Sequence, residues 1–328
     1  MKRTLPWYAL GHFAVDFLCA FLIFGRMSGL LHWTELALVY NFCAFALQMP
    51  LGILADRLGR NRLCSVLGGA LVLLAAIFSV PWLTAVLAGL GNALYHVGGG
   101  RETLLQTRNY GPLGIFVAPG AVGIFLGSLW RDLPLAGIVA GGLLALCALA
   151  LLRLSKDEVP SPTVFSPPAP RNLGLLLALF LVVLLRSLVG MTMVSPWKTG
   201  IYVVLGAVLG ASGKALGGFA ADRFGGKLAG GVSLLLAAAL FLFPECPMCG
   251  ILAGLLFNMS MPITLGDSAR LLPGGEGFSF GLLTFALFLG FLPAQWGFSL
   301  SGAQGAVLSF LSGVGLFLYS RRRLSCSL

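Results

Sequence analysis

Twelve apolar segments, each near the length that crosses a bilayer, follow one another along this chain with little between them. They fall at 7–25, 33–55, 64–80, 82–100, 111–129, 133–153, 173–194, 198–221, 228–243, 248–266, 277–296 and 302–320. A crossing takes about 20 apolar residues in helical form, because lipid offers backbone N–H and C=O groups no partner and a helix satisfies them internally. The expected fold class is therefore an all-α polytopic membrane protein with twelve spans. Composition agrees: of 328 residues, 58% are hydrophobic and 10% charged, where a soluble chain carries about 25% charged. Forty-five glycines let helices approach closely where van der Waals contact replaces the hydrophobic drive. The first segment opens with a basic head, as a secretion signal does, but His12 and Asp16 interrupt it and no cleavage pattern follows, so it reads as the first span.

The formal net charge of +10 could point to nucleic acid, but the charges sit between apolar runs and form no basic stripe interleaved with aromatics, which excludes that partner. Counted by side, sixteen lysines and arginines lie with the two termini, against Arg26, Arg131 and Lys198 opposite. By the positive-inside rule both termini are cytoplasmic, which needs an even number of spans. The expectation is a monomer in the lipid bilayer of a bacterial inner (plasma) membrane. Seven cysteines are scattered and suggest no disulfide framework; only Cys246 and Cys249, in a CPMC turn, have the spacing of a redox or metal pair.

The longest polar stretch, SKDEVPSPTVFSPPAPRN, reads as an extended linker. It divides the chain into residues 1–153, a cytoplasmic linker at 154–172, and residues 173–328. The two halves look like repeats. GILADRLGR at 52–60 and GGFAADRFGG at 217–226 place Asp56 and Asp222 166 positions apart, and the same offset carries Asn92 onto Asn258. Duplicated halves are typical of transporter folds.

GILADRLGRNR, with Gly52, Asp56, Arg57, Gly59, Arg60 and Arg62, resembles the loop between helices 2 and 3 of the major facilitator superfamily, with Asn61 where a basic residue is usual. Asp222 and Arg223 carry its degenerate second copy. Within that superfamily, GLGNALYHVGGGR (89–101), FVAPGAVGIFLGS (116–128) and MPITLGDSARLLPGGEGFSFGL (261–282) resemble the fosmidomycin-resistance family. The resemblance implies two pseudo-symmetric six-helix bundles around a central site lined by helices 1, 4, 7 and 10, and a gating role for the motif. Physically, Asp56 can face the positive end of a neighbouring helix while Arg57 and Arg60 reach carboxylates or carbonyls. The same arginines also serve as topology determinants.

Polar residues inside spans are costly and usually face a cavity. His12 and Asp16 share one helical face and can exchange a proton; with His96 they are the candidates for proton coupling, although Asp16 could instead be tied to Arg186. The candidates for a substrate cavity are Arg186, Lys214, Asn92, Tyr95, Asn41, Gln48 and Asn258, of which Asn41, Gln48 and Asn258 read as interhelical hydrogen bonders. Two cations against one carboxylate favour an anionic or zwitterionic small-molecule substrate.

The resulting expectation is a proton-coupled exporter of a drug-like or metabolic solute, with an importer or facilitator of a small organic anion as the alternative. An enzyme is not expected. The HxxxD spacing could begin a metal site, but three histidines leave few ligands, so neither a metal nor a cofactor is expected. No GxxxxGK[ST] loop is present, which leaves gradients as the energy source.

Overall fold

A computed structural model describes residues 3–154 and 170–324, with side chains described for 3–154 and 172–318. Most of the expected linker, residues 155–169, lies outside the described residues. Among the described residues the chain forms twelve helices that correspond to the twelve apolar segments: α1 (Leu5–Met27), α2 (Trp33–Leu58), α3 (Asn61–Ile77), α4 (Pro81–Gln106), α5 (Gly111–Leu129), α6 (Pro134–Leu154), α7 (Pro170–Thr192), α8 (Ile201–Phe224), α9 (Lys227–Phe241), α10 (Pro247–Leu271), α11 (Glu276–Gln295) and α12 (Gly302–Leu324). Eight are long and apolar enough to cross a membrane, and α3, α9 and most of α12 are shorter apolar helices. The twelfth, α4, is long but diluted by glycine, Asn92, His96, Arg101 and Glu102.

Local chemistry sets the boundaries. Pro81, Pro134 and Pro247 open α4, α6 and α10, where the missing N–H would be unpaired anyway. Both copies of the repeated motif end their helix on a left-handed glycine: Gly59 (φ 66°) closes α2 and Gly225 (φ 85°) closes α8. Each returns its N–H to the carbonyl four residues back, Ala55 and Ala221, at 2.9 Å. A side chain with a Cβ would strain that turn.

The chain divides into two compact units. One takes Met1–Thr107, Phe116–Phe165 and Pro273–Phe285; the other takes Arg108–Ile115, Ser166–Leu272 and Ala286–Leu328. In the first unit a core of Ala14, Val15, Phe17, Leu18 and Leu22 packs against Val72 and Ala75 of α3, Ala88 and Tyr95 of α4, and Ala140 and Leu144 of α6. Helix α1 is the most sheltered of the eight long spans, 72% of its apolar window being buried against 22% for α6. That burial lets α1 carry ionisable side chains without presenting them to acyl chains. In the second unit Tyr110, Ala221 and Ile263 form a smaller cluster.

Candidate functional site

His12 and Asp16, four residues apart on α1, point the same way, and α4 brings His96 and Asn92 to them. Asp16 Oδ2 lies 3.2 Å from His12 Nε2, and Asp16 Oδ1 lies 3.6 Å from His96 Nε2. Asn92 Nδ2 donates to Asp16 Oδ1 at 2.8 Å. The imidazole rings meet edge to face with centroids 4.2 Å apart. His12, Asp16 and Asn92 are 4%, 6% and 2% exposed, so the cluster is sheltered from bulk water. Helix α5 covers the cluster through Gly120, where a Cβ would overlap both His12 Nε2 and Asp16 Oδ2. The sequence paired His12 with Asp16 by spacing; the convergence of His96 and Asn92 needed tertiary structure.

Both histidines are oriented from behind. His12 Nδ1 lies 2.7 Å from the Phe116 carbonyl, and His96 Nδ1 lies 2.8 Å from the Asn92 carbonyl. A carbonyl only accepts, so each Nδ1 carries the hydrogen, and a neutral ring then has its lone pair at Nε2. Both lone pairs face one carboxylate. Without a cation those contacts set acceptor against acceptor, so the cluster calls for positive charge at each gap.

Arg186, 6% exposed on α7, donates from Nη2 to the Phe257 carbonyl at 3.2 Å and sits over the Phe257 ring, 5.1 Å from its centroid; Nε has no hydrogen-bond partner among the described residues. Lys214 is half-buried on α8. Tyr95 is 1% exposed and donates to the Tyr8 carbonyl at 3.1 Å, inside the apolar core. Among the described residues, Asn41, Gln48 and Asn258 bond within their own helices rather than between helices as expected. Each amide donates to a carbonyl four residues earlier on its own helix, Ala37, Ala44 and Gly254, at 2.8, 2.5 and 2.8 Å. An intrahelical carbonyl is always within reach of such a side chain, whereas a partner on another helix has to be placed there.

At the end of α2, Asp56 accepts from the backbone N–H groups of Gly277 and Phe278, each at 2.8 Å, where α11 begins. This is the expected carboxylate at a helix N-terminus, where the dipole and unpaired N–H groups favour negative charge. A Cβ on Gly52 would collide with the Gly277 backbone, so glycine is what admits the contact. Asp56 also has a cationic partner. Arg57 and Arg60 are exposed, and Arg62 reaches the Leu152 carbonyl at 3.5 Å. The partner is Arg101 of α4, 0% exposed, whose Nε donates to Asp56 Oδ1 at 2.7 Å and whose Nη1 donates to Asn61 Oδ1 at 2.6 Å. Asn61 in turn donates to Glu102 at 2.8 Å. Position 61 therefore relays between Arg101 and Glu102, a task an amide performs and a basic side chain does not.

The second unit repeats the arrangement. Asp222 accepts from the N–H groups of Tyr110 and Gly111 at 2.7 and 2.8 Å, where α5 begins. Beside it, Tyr110 donates its hydroxyl to Asp267 at 2.6 Å, and Arg270 bonds Asp267 at 3.1 Å, the Tyr110 hydroxyl and the Arg108 carbonyl. Arg223 stacks over Phe224, its guanidinium carbon 5.4 Å from the ring centroid. Arg101, Asn61, Glu102, Tyr110, Asp267 and Arg270 were not legible as site residues. The one available signal was Asn61 standing in a basic position. Cys246 and Cys249 sit half-exposed at the start of α10, and hydrogen bonds from the Cys249 backbone and thiol hold the Cys246 thiol below its ordinary value.

No protein-family model and no curated protein sequence matches the chain. Solved structures do. The E. coli fucose:proton symporter FucP superposes with a TM-score of 0.70 at 13% identity, covering 97% of each chain. The human organic anion transporter MFSD10 superposes with a TM-score of 0.72 at 17% identity, over 97% of this chain and 99% of its own. A bacterial homologue of the iron transporter ferroportin gives 0.59 at 16% identity, over 99% of each. The helix order, the duplicated carboxylate-capped helix starts and these superpositions give the chain the fold of the major facilitator transporters.

Proposed function

We propose that the chain is a secondary transporter that moves a small anionic or zwitterionic, drug-like or metabolic solute outward by alternating access, in exchange for protons. The observation that carries this reading is the sheltered Asp16 carboxylate facing two histidine lone pairs, a place that holds positive charge and that acyl chains alone would not tolerate. Arg186, buried with its Nε unpartnered among the described residues, supports a negatively charged solute. A proton symporter and an organic anion transporter share the fold, which agrees with a solute carrier driven by protons. Within the superfamily the sequence segments at 89–101, 116–128 and 261–282 favour the fosmidomycin-resistance family. The two carboxylate-capped helix starts at Asp56 and Asp222 are the gating elements, and the positive-inside pattern places both termini in the cytoplasm of a bacterial inner membrane.

Uptake of radiolabelled fosmidomycin and of small organic anions into inverted vesicles, with and without an imposed pH gradient, tests the reading. Gradient-driven flux is expected, and Asp16→Asn should lower it by about ten-fold or more because the carboxylate is the group that carries charge through the span. Flux that ignores the gradient and survives Asp16→Asn would favour the importer or facilitator alternative.

A further inference from the structure

We infer that His12 Nε2, the Asp16 carboxylate and His96 Nε2 form a binding site for a divalent transition-metal ion of the zinc, iron(II) or cobalt(II) class. The inference rests on the reading of this cluster as a cation centre and extends that reading from protons to a metal.

The donor set comes first. Two imidazole nitrogens and a carboxylate, all within 4.8 Å of one another, are the ligand types that borderline divalent ions prefer, whereas magnesium and calcium prefer oxygen alone. Among the described residues no other group of three histidine, cysteine, aspartate or glutamate side chains converges in this way. Spacing comes second. Metal–nitrogen and metal–oxygen bonds of about 2.0–2.2 Å in a tetrahedral site put neighbouring donors about 3.4 Å apart. The gaps from His12 Nε2 to Asp16 Oδ2 and from His96 Nε2 to Asp16 Oδ1, 3.2 and 3.6 Å, lie on either side of that separation; the three donor atoms together spread to 4.8 Å, so an ion would draw the side chains inward.

Orientation is the third point. Metal-bound histidines usually donate their other ring N–H to a carbonyl or carboxylate, which fixes the tautomer and aims the lone pair. His12 and His96 both do so, to Phe116 and Asn92. Asn92, which places its amide N–H₂ on Asp16, keeps a buried Oδ1 in the same cluster with no hydrogen-bond partner among the described residues. An ion at the centre would satisfy both Nε2 lone pairs and the carboxylate at once, whereas one proton satisfies only one gap. Protons and the ion are alternative occupants. Three protein donors also leave a further coordination position open to water or to an oxygen of an anionic solute.

The test uses the tag-free full chain in detergent micelles, with Co²⁺ as the spectroscopic probe and Zn²⁺ as its competitor. Expected are about one Co²⁺ per chain with the ligand-field absorption of a low-coordinate N/O site, bleaching by Zn²⁺, and a thermal midpoint that rises with Zn²⁺. Asp16→Asn and His96→Gln, checked for monodisperse elution, should each weaken binding by about 100-fold or more, since even supporting partners of ligands are worth about 10–100-fold. The inference is overturned if the folded unmodified chain gives neither spectrum nor thermal shift. It is also overturned if binding survives both substitutions or disappears in Cys246→Ser/Cys249→Ser. Loss of the metal result with gradient-driven flux intact removes this inference alone; metal binding with flux indifferent to pH removes the proton-exchange reading alone.

Discussion

Asn92 and Asn258 hold matching positions in the two copies of the repeat, yet they do different things. Asn92 reaches from α4 to the Asp16 carboxylate, while Asn258 turns back on the Gly254 carbonyl of its own helix. The cause lies in the positions that match the rest of the cluster. At the same 166-residue offset, His12, Asp16 and His96 become Ala178, Val182 and Pro262, and Val182 is buried with no polar atom to offer. The second copy instead introduces Arg186 where the first has Ala20. The helix starts have not diverged in this way: Asp56 meets Gly277 and Asp222 meets Gly111, again at one offset. Duplication has kept the backbone-capping devices in both units, while the His12–Asp16–His96 cluster belongs to the first alone and Arg186 to the second alone.

The ion pairs beside the two helix starts are unequally sheltered, and the largest predicted effect tests that. Arg101→Met removes the guanidinium from a buried Asp56 and should cost about 3–5 kcal/mol, the range for breaking a buried pair. In the second unit Arg270, whose side chain is 26% exposed, should cost about 1 kcal/mol when changed to Met, because solvent screens its pair with Asp267. Denaturation in mixed detergent micelles measures both; equal costs would mean that the half-exposed Arg270–Asp267 pair is worth as much as the buried Arg101–Asp56 pair.

The asparagines give the next contrast. Asn92→Leu leaves Asp16 Oδ1 short of a donor in a sheltered place and should destabilise by about 1–3 kcal/mol. Asn258→Leu should stay within about 0.6 kcal/mol, the typical worth of a hydrogen bond inside a bilayer. Comparable losses would show that Asn258 has a partner in another state of the protein. The smallest effect concerns Cys246 of the second unit. Its thiol is held below its ordinary value by hydrogen bonds from Cys249, which raises the thiolate fraction near neutral pH. In single-cysteine variants, maleimide should therefore react faster with a lone Cys246 than with a lone Cys249, by a margin that shrinks as pH rises. The backbone N–H of residue 249 preserves part of this effect when the Cys249 thiol is removed.

The fold was legible because lipid imposes it locally. Each apolar run must become a helix whatever its neighbours do, so segment limits such as 111–129 and 302–320 matched or nearly matched the helices. The α1 half of the candidate site was legible for a similar reason, since the i, i+4 spacing of His12 and Asp16 guarantees a shared face. The motif was legible as a motif, and Asp56 at a helix start followed from its charge.

What the linear order left open was every partner chosen across helices. Spacing cannot say that Arg101 rather than Arg57 or Arg60 neutralises Asp56, because the choice depends on which end of α4 packs against α2. Nor can it say that His96, eighty positions from Asp16, supplies a second lone pair to the same carboxylate. Sequence by itself determined twelve helices, their duplicated plan and the helix-start carboxylate Asp56, all of which are settled by contacts within a few residues and by the apolar solvent. Tertiary structure alone decided which buried charges meet, because in lipid a polar side chain is satisfied by whatever partner helix packing brings within about 3 Å.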